Sequence, residues 1–285
     1  MFTSVIIVGG SLSGLMHGVH LKREGVNVTI LEQDSASERS SHNAGSSIDD
    51  NVNDPGSSCV NMTRLDANLI SLRKRENLIK ADKGTTRYWT NWGYSYRILR
   101  ANFDGYASNA CPTPPSSKPG DGYAKYLTGK RTGEEHSISS EFVIGADGKH
   151  STTHKPVNAP LACPETYAGF IAWRGAVPRR SSIPNVAEGS ADEAGIFTDA
   201  NGHRYQRTVP QGFVDPHTWE GIRGPLVAHM AAPFAELVSA TTSPFVTKVS
   251  DVLGSQASFC DGHVVLVGDA LATYRSHAGK ATLGR

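Results

Sequence analysis

Residues 4–34 read SVIIVGGSLSGLMHGVHLKREGVNVTILEQD, and this stretch decides the fold class. Residues 4–8 form a short β-branched run that ends at glycines, which is the pattern of a fully buried strand. A helix is predicted next, with Gly25 as its C-cap, and residues 26–34 alternate as a second strand that ends at Glu32. Strand, glycine turn, helix and strand make the first βαβ unit of a parallel sheet.

The glycine turn has the spacing of a dinucleotide-binding fingerprint. Gly9 permits the tight turn, and Gly14 lets the helix pack on the strand. Ser11 stands where a second glycine normally lets the backbone approach a pyrophosphate, and its Cβ and hydroxyl reduce the closest approach. Glu32 lies at the end of the second strand, where an acid accepts a hydrogen bond from an adenosine ribose hydroxyl. Such an acid suits NAD or FAD rather than NADP, because a carboxylate repels a 2′-phosphate.

Composition limits the remaining possibilities. The chain has 285 residues, enough for one or two domains, and a formal net charge of +1 gives no reason to expect a nucleic-acid partner. Its four cysteines stand far apart, which argues against a zinc site or a disulfide framework and suits a reducing, cytoplasmic location. Because no apolar run reaches the ~18 residues of a membrane helix and the N-terminus lacks a signal-peptide pattern, we expect no membrane association.

Further elements follow from the patterns along the chain. The polar stretch from Ser35 to about Thr63 is typical of a loop, and the basic stretch Leu72–Lys83 favours a solvated helix face over a phosphate-binding patch. A helix is predicted over Tyr94–Tyr106, stopped by Gly105, and another over residues 224–239, interrupted by Pro233. Three more strands are predicted, in EFVIG before Asp147, in Gly169–Val177, and in HVVLV before Gly268.

Two strand ends beyond the first carry specific motifs: VIGADG over residues 143–148 and VVLVGDALATYRSH over residues 264–277. Together with the N-terminal fingerprint, and in the same order, they resemble those of the FAD-dependent aromatic-ring hydroxylases, which are single-component flavoprotein monooxygenases. The stretches YRILRANFDG and YAGFIAWRGAVP are similar to a subgroup that includes dihydroxypyridine hydroxylase-like enzymes. The resemblance covers both ends and most of the middle of the chain.

The resemblance implies a Rossmann-like α/β FAD-binding domain with a parallel sheet, and a smaller substrate domain on a mixed or antiparallel sheet. The first would comprise residues 1–155 and 256–285, and the second residues 156–255, to which part of 46–92 can belong. FAD is the implied cofactor, with NADPH or NADH as co-substrate. The residues implied to bind FAD are Gly9, Ser11, Gly14, Glu32, Gly45, Arg97 or Arg100, Asp147, Gly148, Gly268, Asp269 and Gly279.

The activity implied is hydroxylation of a small phenolic or N-heteroaromatic substrate by one oxygen atom of O2. Arg174 in AWRG is the first candidate for an active-site side chain, with a surface strand residue as the alternative. His277 is a candidate base near the substrate hydroxyl, because a base there would make the ring more nucleophilic. The substrate, the choice of nucleotide and the oligomeric state are not indicated.

Departures from the family pattern leave alternatives open. Ser276 and Ala281 stand where the family has proline and glycine after its Gly-Asp motif, and His154 replaces an arginine. The chain is also shorter than the family and is expected to lack the C-terminal helices. It is therefore either a working monooxygenase, a truncated and inactive member with a partial FAD-binding core, or a flavin oxidase, a dehydrogenase or an NAD-binding Rossmann protein.

Overall fold

The structure is a computed structural model that describes most of the chain. The ranges described are residues 2–34, 45–49, 64–65, 71–74, 77–81, 87–115, 122–129, 135–149, 151–153, 165–175, 186–189, 197–198, 204–205, 208–209, 212–230 and 232–274. Four α-helices lie in these ranges: α1 (Leu12–Arg23), α2 (Trp92–Asp104), α3 (Pro216–His229) and α4 (Ala232–Ala240). None of them combines the length and apolar character needed to cross a bilayer.

The strands in these ranges are numbered in chain order. They are β1 (Ser4–Val8), β2 (Asn27–Glu32), β3 (Gly45–Asp49), β4 (Arg64–Leu65), β5 (Ser71–Lys74), β6 (Asn77–Ala81), β7 (Arg87–Asn91), β8 (Ala124–Thr128), β9 (Phe142–Gly145), β10 (Thr166–Arg174), β11 (Val186–Gly189), β12 (Phe197–Thr198), β13 (Arg204–Tyr205), β14 (Thr208–Val209), β15 (Phe245–Leu253), β16 (Ser258–Phe259), β17 (Val264–Leu266) and β18 (Ala272–Thr273). The chain divides into two compact units: Met1–Thr63, Tyr88–Glu165 and Asp251–Arg285 form the first, and Arg64–Arg87 and Thr166–Ser250 the second.

The first unit contains a six-stranded sheet in the order β16-β17-β9-β1-β2-β8. β1 runs parallel to both neighbours, so that Val5 lies opposite Val28 on one side and Phe142 on the other. β17 and β8 extend the parallel set on the two sides, and β16 pairs antiparallel with β17. The sheet confirms the α/β class and the strands predicted from residues 4–34, because short β-branched runs are what a parallel sheet buries.

Helices α1 and α2 form a layer on this sheet. α1 packs on β1, on β2 and on α2, and the core between them contains Leu15, Ile30, Tyr96 and Phe103, each at most 2% exposed. The buried Lys22 of α1 donates from Nζ to the carbonyl oxygen of Phe103 at 2.9 Å, near the end of α2. A cation at a helix C-terminus offsets the negative end of the helix dipole. This contact ties the two helices together.

The second unit is built on a sheet with the order β11-β10-β15-β14, of which β10 and β15 are the long strands. α3 and α4 supply its other layer. Trp173 stacks on Trp219 with ring centres 5.4 Å apart, and Trp219 Nε1 donates to the carbonyl oxygen of Thr241 at 3.0 Å. The side chain of Asp215 caps α3 by accepting from the Thr218 N–H at 2.9 Å. The helix therefore begins at Pro216, where a proline loses no backbone hydrogen bond.

Three expectations from the sequence were wrong. The stretch Leu72–Lys83 holds the antiparallel pair β5 and β6 rather than a helix face, and its apolar positions lack the spacing of three and four that a helical stripe needs. β3 lies inside the stretch predicted as loop. The helix predicted over residues 224–239 is two helices with a break before Ala232, so that Pro233 falls in the first turn of α4, where proline is tolerated.

The other predicted elements were confirmed with small shifts. α2 begins two residues before the predicted start at Tyr94 and ends, as predicted, just before Gly105. The strand predicted over Gly169–Val177 begins three residues earlier, at Thr166, and ends at Arg174. Shifts of this size are usual because the ends of helices and strands fray.

Candidate active site

The three strand ends that carry the sequence motifs lie side by side. Ala146 donates its N–H to the carbonyl oxygen of Val8 at 2.7 Å, and Val267 donates to that of Gly145 at 2.9 Å. Gly9, Asp147 and Gly268 follow these bonds directly, at the carboxyl edge of neighbouring parallel strands. This edge is where open α/β sheets bind their ligands. The tertiary structure thus brings together segments that are more than a hundred residues apart.

Glycine is required in this edge by close packing. Gly9 has a φ of +102°, and a Cβ there would collide with the carbonyl group of Ala146. A Cβ on Gly14 would collide with the carbonyl oxygen of Gly9 at the start of α1. A Cβ on Gly268 would lie 2.8 Å from the Cβ of Ser13. The glycines of the first and third motifs therefore allow α1 to approach both strand ends, as the spacing predicts for Gly14.

Ser11 lies at the N-cap of α1. Its side chain makes no capping hydrogen bond, although serine at this position commonly accepts one from the first helical turn. Its carbonyl oxygen accepts the first helical bond, from the N–H of Leu15 at 2.9 Å. The first N–H groups of a helix have no partner within the helix, and this end of the helix dipole attracts anions. No described residue bonds to the Ser11 hydroxyl, which can therefore add one more donor for a pyrophosphate.

Glu32 is 6% exposed, and its carboxylate accepts hydrogen bonds from the backbone of the glycine turn and of the residues after β2. One carboxylate oxygen accepts from the N–H of Gly10 at 2.7 Å, and the other accepts from the N–H of Asp34 at 3.0 Å. The structure therefore gives Glu32 a role in positioning the turn that sequence reasoning missed, beside the ribose contact predicted for it.

Asp147 has one oxygen engaged and one free. Its Oδ2 accepts from the N–H groups of Thr152 and Thr153 at 2.6 and 3.1 Å, which fixes the turn after β9. Its Oδ1 is buried and has no hydrogen-bond partner among the described residues. A buried polar atom without a partner costs about 1–3 kcal/mol, and a bound ligand hydroxyl would remove that cost. Together with the glycine cradle and the start of α1, this atom fits a dinucleotide cofactor such as FAD.

Asp269 follows β17 in a short 3-10 turn, Gly268–Ala270. The residue is exposed, yet protein packed around its carboxyl disfavours the charged form and raises its pKa, while the nearby positive charge of Lys149 lowers it. Lys149 itself pairs with Glu165 at 3.7 Å. A carboxylate with a raised pKa at the strand edge is suited to accept hydrogen bonds from ligand hydroxyls, as predicted for the ribityl chain.

Arg97 and Arg100, the two candidates for a phosphate contact, differ in their surroundings. Arg100 is 7% exposed, and its Nε and Nη2 donate to the carboxylate of Asp104 at 2.8 to 3.1 Å. Burial by itself lowers the pKa of Arg100, but its bonds to Asp104 and Tyr96 outweigh burial and raise it. Arg97 is half-buried, and no described residue forms a hydrogen bond or an ion pair with it. Of the two, Arg97 is free to contact a phosphate.

Arg174, the candidate substrate residue, ends β10 in the second unit. Its Nε is buried and has no hydrogen-bond partner among the described residues, and burial lowers the pKa of the guanidinium. On the neighbouring strand position Trp173 packs against Trp219 under the helices, so Arg174 points to the opposite face of the sheet. Arg174 is half-buried, and a buried Nε without a described partner is energetically costly, which favours an anionic or electron-rich ligand at this face.

The remaining predicted residues contribute less to this picture. Gly45 opens β3, and Gly148 follows Asp147 with no atom within 4 Å of a Cβ added to it. His277 and Gly279 lie outside the described residues, as do His154, Ser276 and Ala281. Sequence reasoning missed Tyr126 on β8, whose hydroxyl donates to the carbonyl oxygen of Gly10 at 3.0 Å. The aromatic and β-branched residues in 123–128, which strands favour, were the available signal for this strand.

Comparisons with known proteins agree with this geometry. A family model described as FAD binding domain matches residues 2–48, and one described as FAD binding domain-like matches residues 182–251. The curated 2,6-dihydroxypyridine 3-monooxygenase of Paenarthrobacter nicotinovorans is 25% identical over 331 residues, covering 96% of this chain and 78% of that protein.

Solved structures show the same fold. The 2,6-dihydroxypyridine-3-hydroxylase of Arthrobacter nicotinovorans has a TM-score of 0.69 at 20% identity, covering 99% of this chain and 80% of that one. A salicylate hydroxylase substrate complex has a TM-score of 0.61 at 14% identity, with 98% and 76% covered. These matches confirm the resemblance drawn from the motifs, the flavoprotein fold, FAD as the cofactor and, with them, an FAD-dependent enzyme.

Proposed function

Because the chain shares its fold and its motifs with the FAD-dependent aromatic-ring hydroxylases, we propose that it hydroxylates a small phenolic or N-heteroaromatic substrate, using NAD(P)H and O2. The observation that carries this proposal is the convergence of Gly9, Asp147 and Gly268 at one sheet edge, with a buried Asp147 oxygen that lacks a partner. The curated relative acts, by its name, on 2,6-dihydroxypyridine, which is an electron-rich ring of this class.

The first unit would bind the cofactor, through residues that the structure brings together. We assign the pyrophosphate to the start of α1 with Ser11, and the ribose to Glu32. Arg97, which no described residue binds, would supply a contact to a phosphate. Asp269 would accept from hydroxyls on the flavin side, and the buried oxygen of Asp147 would accept from another hydroxyl of the cofactor. FAD, when bound, supplies the redox chemistry by which O2 is activated. The protein's own part is to bind, to orient and to exclude water.

The second unit would bind the substrate, with Arg174 as the residue that orients it. No described acid pairs with this guanidinium, which would attract a ring that carries an ionised hydroxyl or a carboxylate and offer two parallel donors to such a group. His277 remains the proposed base near the substrate hydroxyl, by resemblance alone. The proposed domains are residues 1–155 with 256–285, which bind the cofactor, and residues 156–255, to which part of 46–92 can belong, which bind the substrate.

The test has two stages. Apoprotein is first titrated with FAD, following the change in flavin fluorescence and the thermal midpoint. At 1,000 times the Kd, free FAD should stabilise the folded chain by about 4 kcal/mol. The loaded protein is then mixed with NADH or NADPH and a panel of rings that includes 2,6-dihydroxypyridine, salicylate and simple phenols, while nucleotide oxidation and O2 uptake are recorded.

The expected result is nucleotide oxidation that a panel member stimulates, with matching O2 uptake and a hydroxylated product. FAD binding without any stimulated oxidation would contradict the monooxygenase proposal and leave an FAD-binding protein. If oxidation proceeds with hydrogen peroxide as its only oxygen product, the chain is an oxidase on the same fold.

A further inference from the structure

A chain of polar contacts runs from the interior of the first unit to the glycine turn. The Tyr126 hydroxyl lies 3.0 Å from the carbonyl oxygen of Gly10 and 3.3 Å from the Tyr96 hydroxyl. Nη1 of Arg100 donates to the Tyr96 hydroxyl at 2.9 Å, and the guanidinium carbon lies 3.6 Å from the centre of the Tyr126 ring. Asp104 holds the other side of the guanidinium. None of these side chains takes part in the contacts assigned to FAD above.

The two ends of this chain decide the direction of every hydrogen bond in it. Arg100 can only donate, and the carbonyl oxygen of Gly10 can only accept. Tyr126 therefore gives its proton to Gly10 and must accept from Tyr96, which in turn accepts from Arg100. Hydrogen bonds in such a series polarise one another, and the cation at the far end strengthens the last donor. The guanidinium above the Tyr126 ring adds a direct cation–π contact.

This series of hydrogen bonds ends at Gly10, which lies between Gly9 and Ser11 of the fingerprint. The Gly10 peptide groups are held on both sides, the N–H by Glu32 at 2.7 Å and the carbonyl oxygen by Tyr126. A Cβ on Gly10 would collide with the Tyr126 hydroxyl, so the ring fits against the bare backbone. Because Gly10 leads directly into Ser11 and α1, its orientation sets the direction of the N–H groups that face the pyrophosphate.

We propose that Tyr126 is a positioning residue for FAD: it holds the Gly10 carbonyl so that the turn and the first N–H groups of α1 are arranged for the pyrophosphate before the cofactor arrives. Arg100 supports Tyr126 indirectly, by its hydrogen bond to Tyr96 and by its contact with the Tyr126 ring, and it does not contact a phosphate. This inference rests on FAD binding by the first unit but not on the hydroxylase activity.

The experiment compares three variants of the full chain. Tyr126→Phe keeps the ring below Arg100 and removes the bond to Gly10. Tyr96→Phe keeps the Tyr126–Gly10 bond but removes the hydrogen bonds that link Tyr126 to Arg100. Tyr123→Phe is the matched control, because Tyr123 stands just before the same strand and is 64% exposed. Each is measured for FAD Kd by fluorescence titration, for the thermal midpoint of the apoprotein, and for the rise of that midpoint at fixed FAD.

We expect Tyr126→Phe to raise the FAD Kd about three- to tenfold, the effect of one lost hydrogen bond, and to reduce the FAD-dependent rise of the midpoint. Tyr96→Phe should raise the Kd by less, and Tyr123→Phe should leave it unchanged. The proposal is overturned if Tyr126→Phe binds FAD within twofold of the unaltered chain, including the case in which only the apoprotein midpoint falls. Failure of the unaltered chain to bind FAD would instead remove the premise, and absence of hydroxylation with intact FAD binding would affect only the proposed function.

Discussion

Ala146 donates its backbone N–H to the carbonyl oxygen of Val8 at 2.7 Å, and this bond places the Asp147 turn directly against Gly9. The first and second motifs therefore form one packed edge rather than two separate loops. A side chain on Gly9 would meet the Ala146 carbonyl at once. The packing of these two strand ends therefore requires a residue without a Cβ at position 9.

Gly9→Ala should destabilise the apoprotein by about 2–4 kcal/mol, since it combines a backbone collision with a φ of +102°. The measurement is urea unfolding at equilibrium without FAD. Gly105→Ala is the control, because Gly105 also has a positive φ, of +73°, but no atom lies within 4 Å of its added Cβ. That variant should lose only about 1 kcal/mol from strain. Equal losses in both variants would contradict the packing explanation.

Arg97→Ala and Arg100→Ala should separate cofactor binding from folding. Arg97→Ala is expected to weaken FAD binding about tenfold, the loss of one charge-assisted bond, with apoprotein stability unchanged. Arg100→Ala is expected to lower the unfolding free energy by about 2–4 kcal/mol, because it leaves the carboxylate of Asp104, 16% exposed, without its partner. Both variants are measured by FAD titration and by urea unfolding. Weaker FAD binding in Arg100→Ala and lower stability in Arg97→Ala would instead assign the phosphate contact to Arg100.

Asp269→Asn should stabilise the apoprotein at neutral pH. The pKa of Asp269 is raised above 3.8 in the folded state, so the folded chain binds the proton more tightly than the unfolded chain does. This contribution is present below pH 3.8 and is lost as the pH rises through the folded pKa, where the ionised carboxylate becomes unfavourable. The gain from asparagine should therefore grow with pH and reach at most about 1 kcal/mol, because the residue is exposed.

Unfolding of the apoprotein from pH 4 to pH 8 measures this effect. Lys149→Met serves as the complement, since Lys149 lowers the pKa of Asp269. Its loss should destabilise the original chain more than the Asp269→Asn chain. A gain from Asp269→Asn that is the same at every pH would show that ionisation plays no part.

Arg174→Met should leave the fold intact and weaken substrate binding. Burial lowers the pKa of this arginine and no described acid pairs with it, so replacing it by an apolar side chain of similar length is expected to keep or slightly raise stability. If Arg174 orients an anionic ring, the substrate KM should rise at least about tenfold. Arg223→Met is the control, because Arg223 lies on α3 and contacts Glu220 and Ser239. A large stability loss with an unchanged KM would make Arg174 structural.

The local pattern of the sequence was sufficient for four strands of the six-stranded sheet, β1, β2, β9 and β17, but it did not predict β8 or β16. Runs such as SVIIV end in glycines, and such runs are buried in parallel strands whatever the rest of the chain does. The bond between Arg100 and Asp104 was also readable, since residues four apart on a helix are neighbours. The charged stretch containing β5 and β6 was misread, because charge alone does not distinguish a helix from a hairpin.

By itself, therefore, the sequence determined the strand order of the first βαβ unit, the glycine positions and the acids at three strand ends, because these follow from local periodicity and turn chemistry. Only the tertiary structure decided which side chains face one another. The Tyr126 hydroxyl reaches Gly10 across 116 residues, and Arg174 remains without a described acid although it looks ordinary in sequence. Such contacts depend on the packing of distant elements, and that packing decides which polar atoms are satisfied within the protein and which remain for a ligand.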